Sequence, residues 1–525
     1  MVLFFSAAVL VLSLALLSKF HGFKIYDDAY MFVRYADHLV AGQGMVWNPG
    51  EGKVYGATSL AYVVALIPFR MAFPDNPAAA LFSCSFFWGL VFVGISFWMA
   101  LKTMRPDKAM KPWRAGFVFL ALIAAAVSLR THFASGMETT LVMSYLGLCL
   151  ILWEGMGTGG GNPWLAGIMG GCAWWVRPDL LVFSLGIPGL MAILSPAGGS
   201  RRQWIRALLV TVGVGLWAMG GARMLTGAWL PLSFFAKNTG LYGPEFAATY
   251  RWLPLHESAR FMARTWPSLL LVGMGVYLKW PRLGRAYRAL DKAIMAAMVV
   301  YAVYFTFFVL QVMGFGQRFY FPLLPILIHL GLRELREMPE TLRTGRGIPS
   351  QAILHQRIGM LCLAGFLAYH GVDYGRSLRQ ACLDRRIAVF SAMATYRAEL
   401  TDYWARLDAL QGLPDAMGIA TTEVGMPSAL YPNRRIYDLA GLNAPGLVAD
   451  GLGSESVLRY CPADLMYLPH EDYRQLVASL QSSPEFAARY ETIPGTRLKA
   501  AMGVAIRRDS PFAADLRRIF EPWAD

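Results

Sequence analysis

Long apolar runs separated by short polar stretches dominate the chain as far as about residue 371. They occupy residues 2–18, 78–101, 115–131, 139–153, 164–176, 180–195, 207–225, 267–280, 293–312, 319–332 and 358–371. Runs of this length and composition predict membrane-spanning helices. Several fall below the ~20 residues of an ideal span, which is tolerated where protein lines a cavity. Run 2–18 lacks the basic start and the small-x-small cleavage site of a signal peptide, and reads as an uncleaved helix.

Run 57–73 is different, because Tyr62, Pro68 and Arg70 interrupt it. The charges between the runs decide how it is read. Lys and Arg cluster in 102–114, 201–206, 279–292 and 333–357. The positive-inside rule retains all four stretches in the cytoplasm if 57–73 lies on the outer surface as an interfacial helix. The expectation is therefore a multi-pass α-helical membrane protein of about eleven spans. Its N-terminus is cytoplasmic, and its outer loops are 20–77, 132–138, 177–179, 226–266 and 313–318.

The pattern changes after residue 372. Residues 375–410 are charged and helix-prone, and short apolar runs then alternate with turns and helical stretches: 417–421, 435–439, 464–468 and 504–507, with a helical stretch at 471–481. This predicts two parts: a membrane domain, 1–371, and a C-terminal soluble α/β domain, 372–525, on the periplasmic side. Composition agrees. Apolar residues make up 56% of the chain and charged residues 16%, where a soluble domain carries ~25% charge. The net charge of +14 belongs to cytoplasmic loops rather than to a nucleic-acid interface. No Cys/His spacing resembles a zinc site, and Cys382 with Cys461 is a candidate disulfide in the outer domain.

Chemistry concentrates in 24–59, KIYDDAYMFVRYADHLVAGQGMVWNPGEGKVYGATS. Asp27 and Asp28 stand together at the membrane surface, where two acids are costly unless paired or used. Residues 29–40 predict a helix with Tyr30, Arg34 and Asp37 on one face. Trp47 and Asn48 open a Trp-Asn-Pro-Gly turn. On one reading the two aspartates merely cap this helix, with Arg34 as partner. Four other outer stretches change the weighting: SGMETT with Glu138, WWVRPD with Arg177 and Asp179, LPLSFFAKNT with Lys237 and Asn238, and GFGQRFYFP with Arg318. Together they place carboxylates and three cations around one outward-facing cavity. The cations suit a phosphate, and a carboxylate there suits a general base.

The run DDAYMFVRYADHLVAGQGMVWNPGE resembles the first outer loop of GT-C glycosyltransferases, most closely the branch that includes the mycobacterial terminal arabinofuranosyltransferases. SGMETT, WVRPD, LPLSFFAKN and RFYFPLLP resemble that branch in the same order, and RIYDLAGLN (435–443) is similar to its outer domain. The chain departs from many relatives at VYGATSL (54–60), which suggests a different acceptor. The resemblance implies inverting transfer of a sugar from a polyprenyl-phosphate donor to a glycan or glycolipid, on the outer face of the bacterial inner membrane and among membrane lipids. Asp27 then becomes the expected base, and Asp28 either orients it or binds the acceptor. Arg177, Lys237 and Arg318 become the phosphate-binding groups. Tyr30, Arg34, Trp47, Asn48, Glu138, Asp179 and Asn238 become substrate-binding candidates. No cofactor is demanded, although Asp27 and Asp28 leave room for a divalent cation. A lipid-linked glycan transporter and a non-catalytic envelope scaffold are the alternatives. Neither accounts for paired carboxylates facing three cations, and a transporter should show an internal repeat.

Overall fold

The computed structural model describes residues 25–103, 132–238, 241–279, 288–311, 315–343, 409–494 and 503–521. Runs 2–18, 115–131 and 358–371, the stretch 375–408 and Cys382 lie outside these residues. Among the described residues, Pro77–Met99, Thr139–Gly157, Gly199–Thr226 and Ala289–Phe307 are helical, long and apolar enough to cross a membrane. Runs 267–280 and 319–332 fall within longer helices, Leu253–Lys279 and Leu324–Arg343. The helix Leu60–Ala72 is capped by Ser59, whose hydroxyl accepts from the Tyr62 N–H at 3.1 Å. Its 13 residues reach about 20 Å, short of a ~30 Å hydrocarbon core.

Runs 164–176 and 180–195 are broken into Pro163–Gly171, Ala173–Val176, a 3-10 turn at Pro178–Leu180, Leu181–Ser184 and Gly186–Leu194. The break has a local cause. Pro178 clashes with helical backbone at the preceding residue, and Arg177 is accordingly extended, with φ −168° and ψ 128°. The chain leaves the helix there and turns Arg177 and Asp179 inward.

The C-terminal region folds around a five-stranded mixed sheet ordered β2-β1-β3-β5-β4. The strands are β1 (Ile419–Thr421), β2 (Ile436–Asp438), β3 (Leu465–Leu468), β4 (Tyr490–Pro494) and β5 (Gly503–Arg507). β1 runs parallel to β2 and β3, while β5 is antiparallel to β3 and β4. β1 and β3 are buried along their whole length, as continuous apolar central strands should be. Helices Gly425–Leu430, Pro445–Asp450, Ser454–Tyr460, Arg474–Ser482, Pro484–Arg489 and Ala513–Phe520 pack around the sheet. Cys461 is buried and, among the described residues, has no disulfide partner.

This region is not hung on a loose tether. Its core residues Met417, Ile419, Ile436 and Leu465 share one cluster with Ile25, Ala29, Tyr35 and Tyr55 of the segment 25–59. The polar hub of the contact is Arg34, fully buried in the helix Asp27–Val40. Its guanidinium donates to the carbonyl oxygens of Trp47 (2.5 Å), Ser428 (3.0 Å), Tyr431 (3.2 Å) and Arg434 (2.7 Å), and to Asn48 Oδ1 (3.0 Å). Burial lowers its pKa to about 10, against the pull of neighbouring acids. Trp47 Nε1 donates to the Ile436 carbonyl at 2.6 Å, and Asn48 Oδ1 also accepts the Ile436 N–H at 2.9 Å. Two glycines make the close fit. A Cβ on Gly425 would overlap the Asp27 carbonyl oxygen, and one on Gly56 would overlap the Asn443 amide and the Tyr35 hydroxyl.

Candidate active site

A cavity of about 160 Å³ lies where the first outer loop, the membrane helices and the C-terminal region meet. Asp28, Glu138, Arg177, Asp179, Lys237 and Arg318 all line it, so residues from five stretches of the sequence converge on one space. Each arrives by its own element. Asp28 sits in the first turn of Asp27–Val40. Glu138 precedes Thr139–Gly157. Arg177 and Asp179 come from the proline-broken turn, Lys237 from the short helix Leu232–Asn238, and Arg318 from the turn before Leu324–Arg343.

The three cations gather around one ring. The Arg177 and Arg318 guanidinium carbons stand 5.6 and 5.1 Å from the Phe319 centroid, and Lys237 Nζ stands 5.2 Å from it. Cations at this range are attracted by the ring quadrupole, which lets like charges share a small volume. Carboxylates complete the balance. Arg318 donates to Asp28 at 3.1 Å. Arg177 holds Asp179 through two bonds of 3.0 and 2.8 Å, with Glu138 3.7 Å away. The Tyr301 hydroxyl donates to Asp179 at 2.9 Å. These acids hold the Arg177 pKa above its ordinary value even though burial opposes them most strongly. Lys237 differs: among the described residues it has no ion-pair partner. Burial pushes its pKa down to about 8, with repulsion from Arg318 adding to the effect and Asp28 opposing it. Glu138 Oε2 is buried without a hydrogen-bond partner among the described residues. Among the described residues the cavity thus holds one cation outside any ion pair and one carboxylate oxygen without a hydrogen-bond partner, and buried polar atoms of this kind ordinarily have partners.

Asp27 is placed elsewhere. Its two carboxylate oxygens accept the N–H groups of Gly425 and Met426, both at 2.8 Å, at the start of the helix Gly425–Leu430. It does not line the cavity. Arg34, Trp47 and Asn48 serve the same junction rather than the cavity, and Arg34 bonds carbonyls rather than the adjacent aspartates. Tyr30 is buried in the core. Asp37 pairs with Arg70 at 2.9 Å. Asn238 ends the helix Leu232–Asn238, and its side chain lies outside the described residues. Backbone N–H groups hold the Asp27 carboxylate, and a guanidinium holds that of Asp28. Among the described residues, no group of three or more His, Cys, Asp or Glu could hold a metal ion.

Sequence reasoning missed Phe319, the shared platform of the cations, although it lies beside Arg318 in the motif RFYFP. It also missed Tyr301 and Leu442. Leu442 brings the C-terminal region to the cavity wall, behind a loop held by Asp438. That carboxylate accepts from the Ala440 N–H, the Asn443 N–H and Asn443 Nδ2, all at 2.8 Å. Burial, aided by the charge of Asp28, raises Asp438 to about 6 against these bonds. Gly56, Ala57 and Thr58 of VYGATSL form another wall.

The fold is similar to that of solved multi-pass GT-C membrane proteins. Two crystal structures of ArnT from Cupriavidus metallidurans superpose on it along almost all of both chains. The form bound to undecaprenyl phosphate has a TM-score of 0.56 and 14% identity, covering 96% of this chain and 98% of that one. The apo form has a TM-score of 0.52 and 13% identity, covering 95% and 97%. A terminal β-(1→2)-arabinofuranosyltransferase of Mycobacterium tuberculosis is 25% identical over 234 residues, 42% of this chain. The match spans 33% of that relative's length. No family model matches the chain.

Proposed function

We propose that the protein is an inverting glycosyltransferase that moves a sugar, with arabinofuranose the first candidate, from a polyprenyl-phosphate donor to a cell-envelope glycan or glycolipid. The carrying observation is the convergence of Asp28, Arg177, Lys237 and Arg318 on one cavity. The GT-C fold and the ArnT structure bound to undecaprenyl phosphate support a lipid-phosphate donor. In this reading the membrane domain is 1–371 and the outer domain 372–525. The N-terminus is cytoplasmic, and the cavity opens on the outer face of the bacterial inner membrane.

The base is Asp28, which replaces Asp27 in that role. Asp27 is committed to the Gly425 and Met426 N–H groups, whereas Asp28 faces the space where an acceptor hydroxyl would sit. The acceptor oxygen attacks the anomeric carbon as Asp28 takes its proton. The bond from that carbon to the phosphate oxygen breaks, and polyprenyl phosphate leaves with the electron pair. Such a leaving group needs positive charge and no added proton. Lys237, free of an ion pair among the described residues, supplies that charge with Arg177 and Arg318. Glu138 Oε2 accepts a hydroxyl of the donor sugar. The test is release of polyprenyl phosphate by purified protein, wild type beside Asp28→Asn. Loss of release with retained donor binding supports the assignment, and unimpaired release overturns it.

A further inference from the structure

A second charged cavity lies at the other end of the same helices. Thr139–Gly157 has Glu138 at the candidate active site and Glu154, one turn from its far end, at the second cavity. Ala289–Phe307 runs the opposite way, with Arg288 at the second cavity and Tyr304 and Phe305 at the first. Each helix has 19 residues, or about 28 Å, close to the thickness of a bilayer's hydrocarbon core. The second cavity, about 180 Å³, is lined by Lys102, Arg288, His329 and Arg333, by the single carboxylate Glu154, and by Trp98. Lys102, Arg288 and Arg333 belong to the basic stretches 102–114, 279–292 and 333–357.

The cations are held in place rather than cancelled. Arg288 grips Glu154 through two bonds of 2.6 and 3.0 Å and reaches Asp291 at 3.1 Å. Arg333 also bonds Asp291, which is buried behind the cavity wall, and His329 bonds Glu154 at 2.9 Å. Two carboxylates thus fix two guanidiniums. Lys102, exposed, adds a third permanent positive charge 5.0 Å from the Trp98 ring. Among the described residues, three permanent cations against two carboxylates leave a net positive site shaped by fixed donors. The rim continues into apolar surface, since Trp98 is 44% exposed and Leu148, on the adjoining helix, 38% exposed. Tryptophan is enriched at membrane–water interfaces.

We propose that this cavity binds the phosphodiester headgroup of an anionic phospholipid, with Lys102, Arg288 and Arg333 around the phosphate and an acyl chain along Trp98 and Leu148. Basic pockets between helices at the membrane surface recognise anionic headgroups in this way. The site is independent of the catalytic reading, because its readout is lipid binding.

The test uses full-length protein in detergent, with phosphatidylglycerol, phosphatidylcholine or inorganic phosphate added, and native mass spectrometry and thermal unfolding as readouts. Phosphatidylglycerol is expected to bind more tightly than phosphatidylcholine. Lys102→Gln, which leaves the Glu154–Arg288 and Asp291–Arg333 pairs intact, should weaken phosphatidylglycerol binding roughly fivefold, the worth of one basic side chain at a membrane surface. Trp98→Leu should weaken it further without affecting any response to inorganic phosphate. Equal binding of the two lipids, or unchanged phosphatidylglycerol binding in Lys102→Gln, overturns the proposal. Inorganic phosphate stabilising the protein as much as the lipid does would overturn its lipid assignment.

Discussion

Asp28→Asn separates the two adjacent aspartates by function, and its expected effects follow from their surroundings. Asparagine fills the same space and keeps an acceptor for Arg318, which now donates at 3.1 Å. The loss to folding is one ion pair reduced to a hydrogen bond between a guanidinium and a neutral amide, about 1–2 kcal/mol. The loss to catalysis is larger, because a positioned general base contributes about 10²–10⁴ to the rate, or roughly 3–5 kcal/mol of barrier. Donor affinity should change little, since Arg177 and Lys237 are untouched, so the loss falls on kcat. Asp27→Asn is the matched control. It replaces a carboxylate accepting two backbone N–H groups at 2.8 Å with an amide that has one acceptor oxygen, at a cost of about 2–3 kcal/mol. Its Tm should fall more than that of Asp28→Asn, with kcat within tenfold of wild type for the folded fraction. The assay is single-turnover release of polyprenyl phosphate, with Tm measured on the same preparations. An inactive Asp27→Asn of wild-type Tm, beside an active Asp28→Asn, would refute the reasoning.

Three further predictions come from the same geometry. Lys237 has a pKa lowered to about 8 by burial and by Arg318, so it is charged below that pH and neutral above it. Donor KM should therefore be flat below pH 8 and rise above it. Lys237→Arg should remove the rise, and Lys237→Met should weaken donor binding ten- to a hundredfold at pH 7, the loss of one charge-assisted contact. Asp438 is raised to about 6 from 3.8, so the folded state holds its proton more tightly than the unfolded chain. Its stabilising contribution is full below about pH 4 and lost as pH rises through 6. The span of about two units amounts to at most about 3 kcal/mol, read as a fall in Tm between pH 4.5 and 6.5 that Asp438→Asn abolishes. Finally, Gly425→Ala drives a methyl group into the Asp27 carbonyl oxygen. It should destabilise the protein by about 1–3 kcal/mol or more, visible as a lower Tm and as easier proteolysis between the outer loop and the sheet.

Four of the helical spans and the convergent cations were legible in the sequence because their signals are local. Apolar runs declare helices, Pro178 declares the turn that aims Arg177, and Lys237 and Arg318 each stand in a short polar break between apolar stretches. Strands β1, β2, β3 and β5 show as short apolar runs. β4, Tyr490–Pro494, carries Glu, Thr and Pro and has no such run. It lies at the sheet edge, where proline is tolerated. The first outer loop was the place where local signals misled. Asp27, Arg34, Trp47 and Asn48 are the residue types of a binding site, yet each also has partners close to 400 residues further along the chain. Spacing within the loop cannot reveal a partner that only the fold supplies. The distinction between Asp27 and Asp28, one residue apart, depends wholly on which way each faces.

The most direct test of the central claim is a transfer assay with the purified protein in nanodiscs, using a panel of synthetic polyprenyl-phosphate sugars and membrane glycan acceptors. The account predicts that one donor is consumed, that its sugar appears on the acceptor with inverted anomeric configuration, and that polyprenyl phosphate is released in equal amount. Tight binding of a donor with no bond cleavage across the panel would contradict it and leave a binding or transport protein in its place.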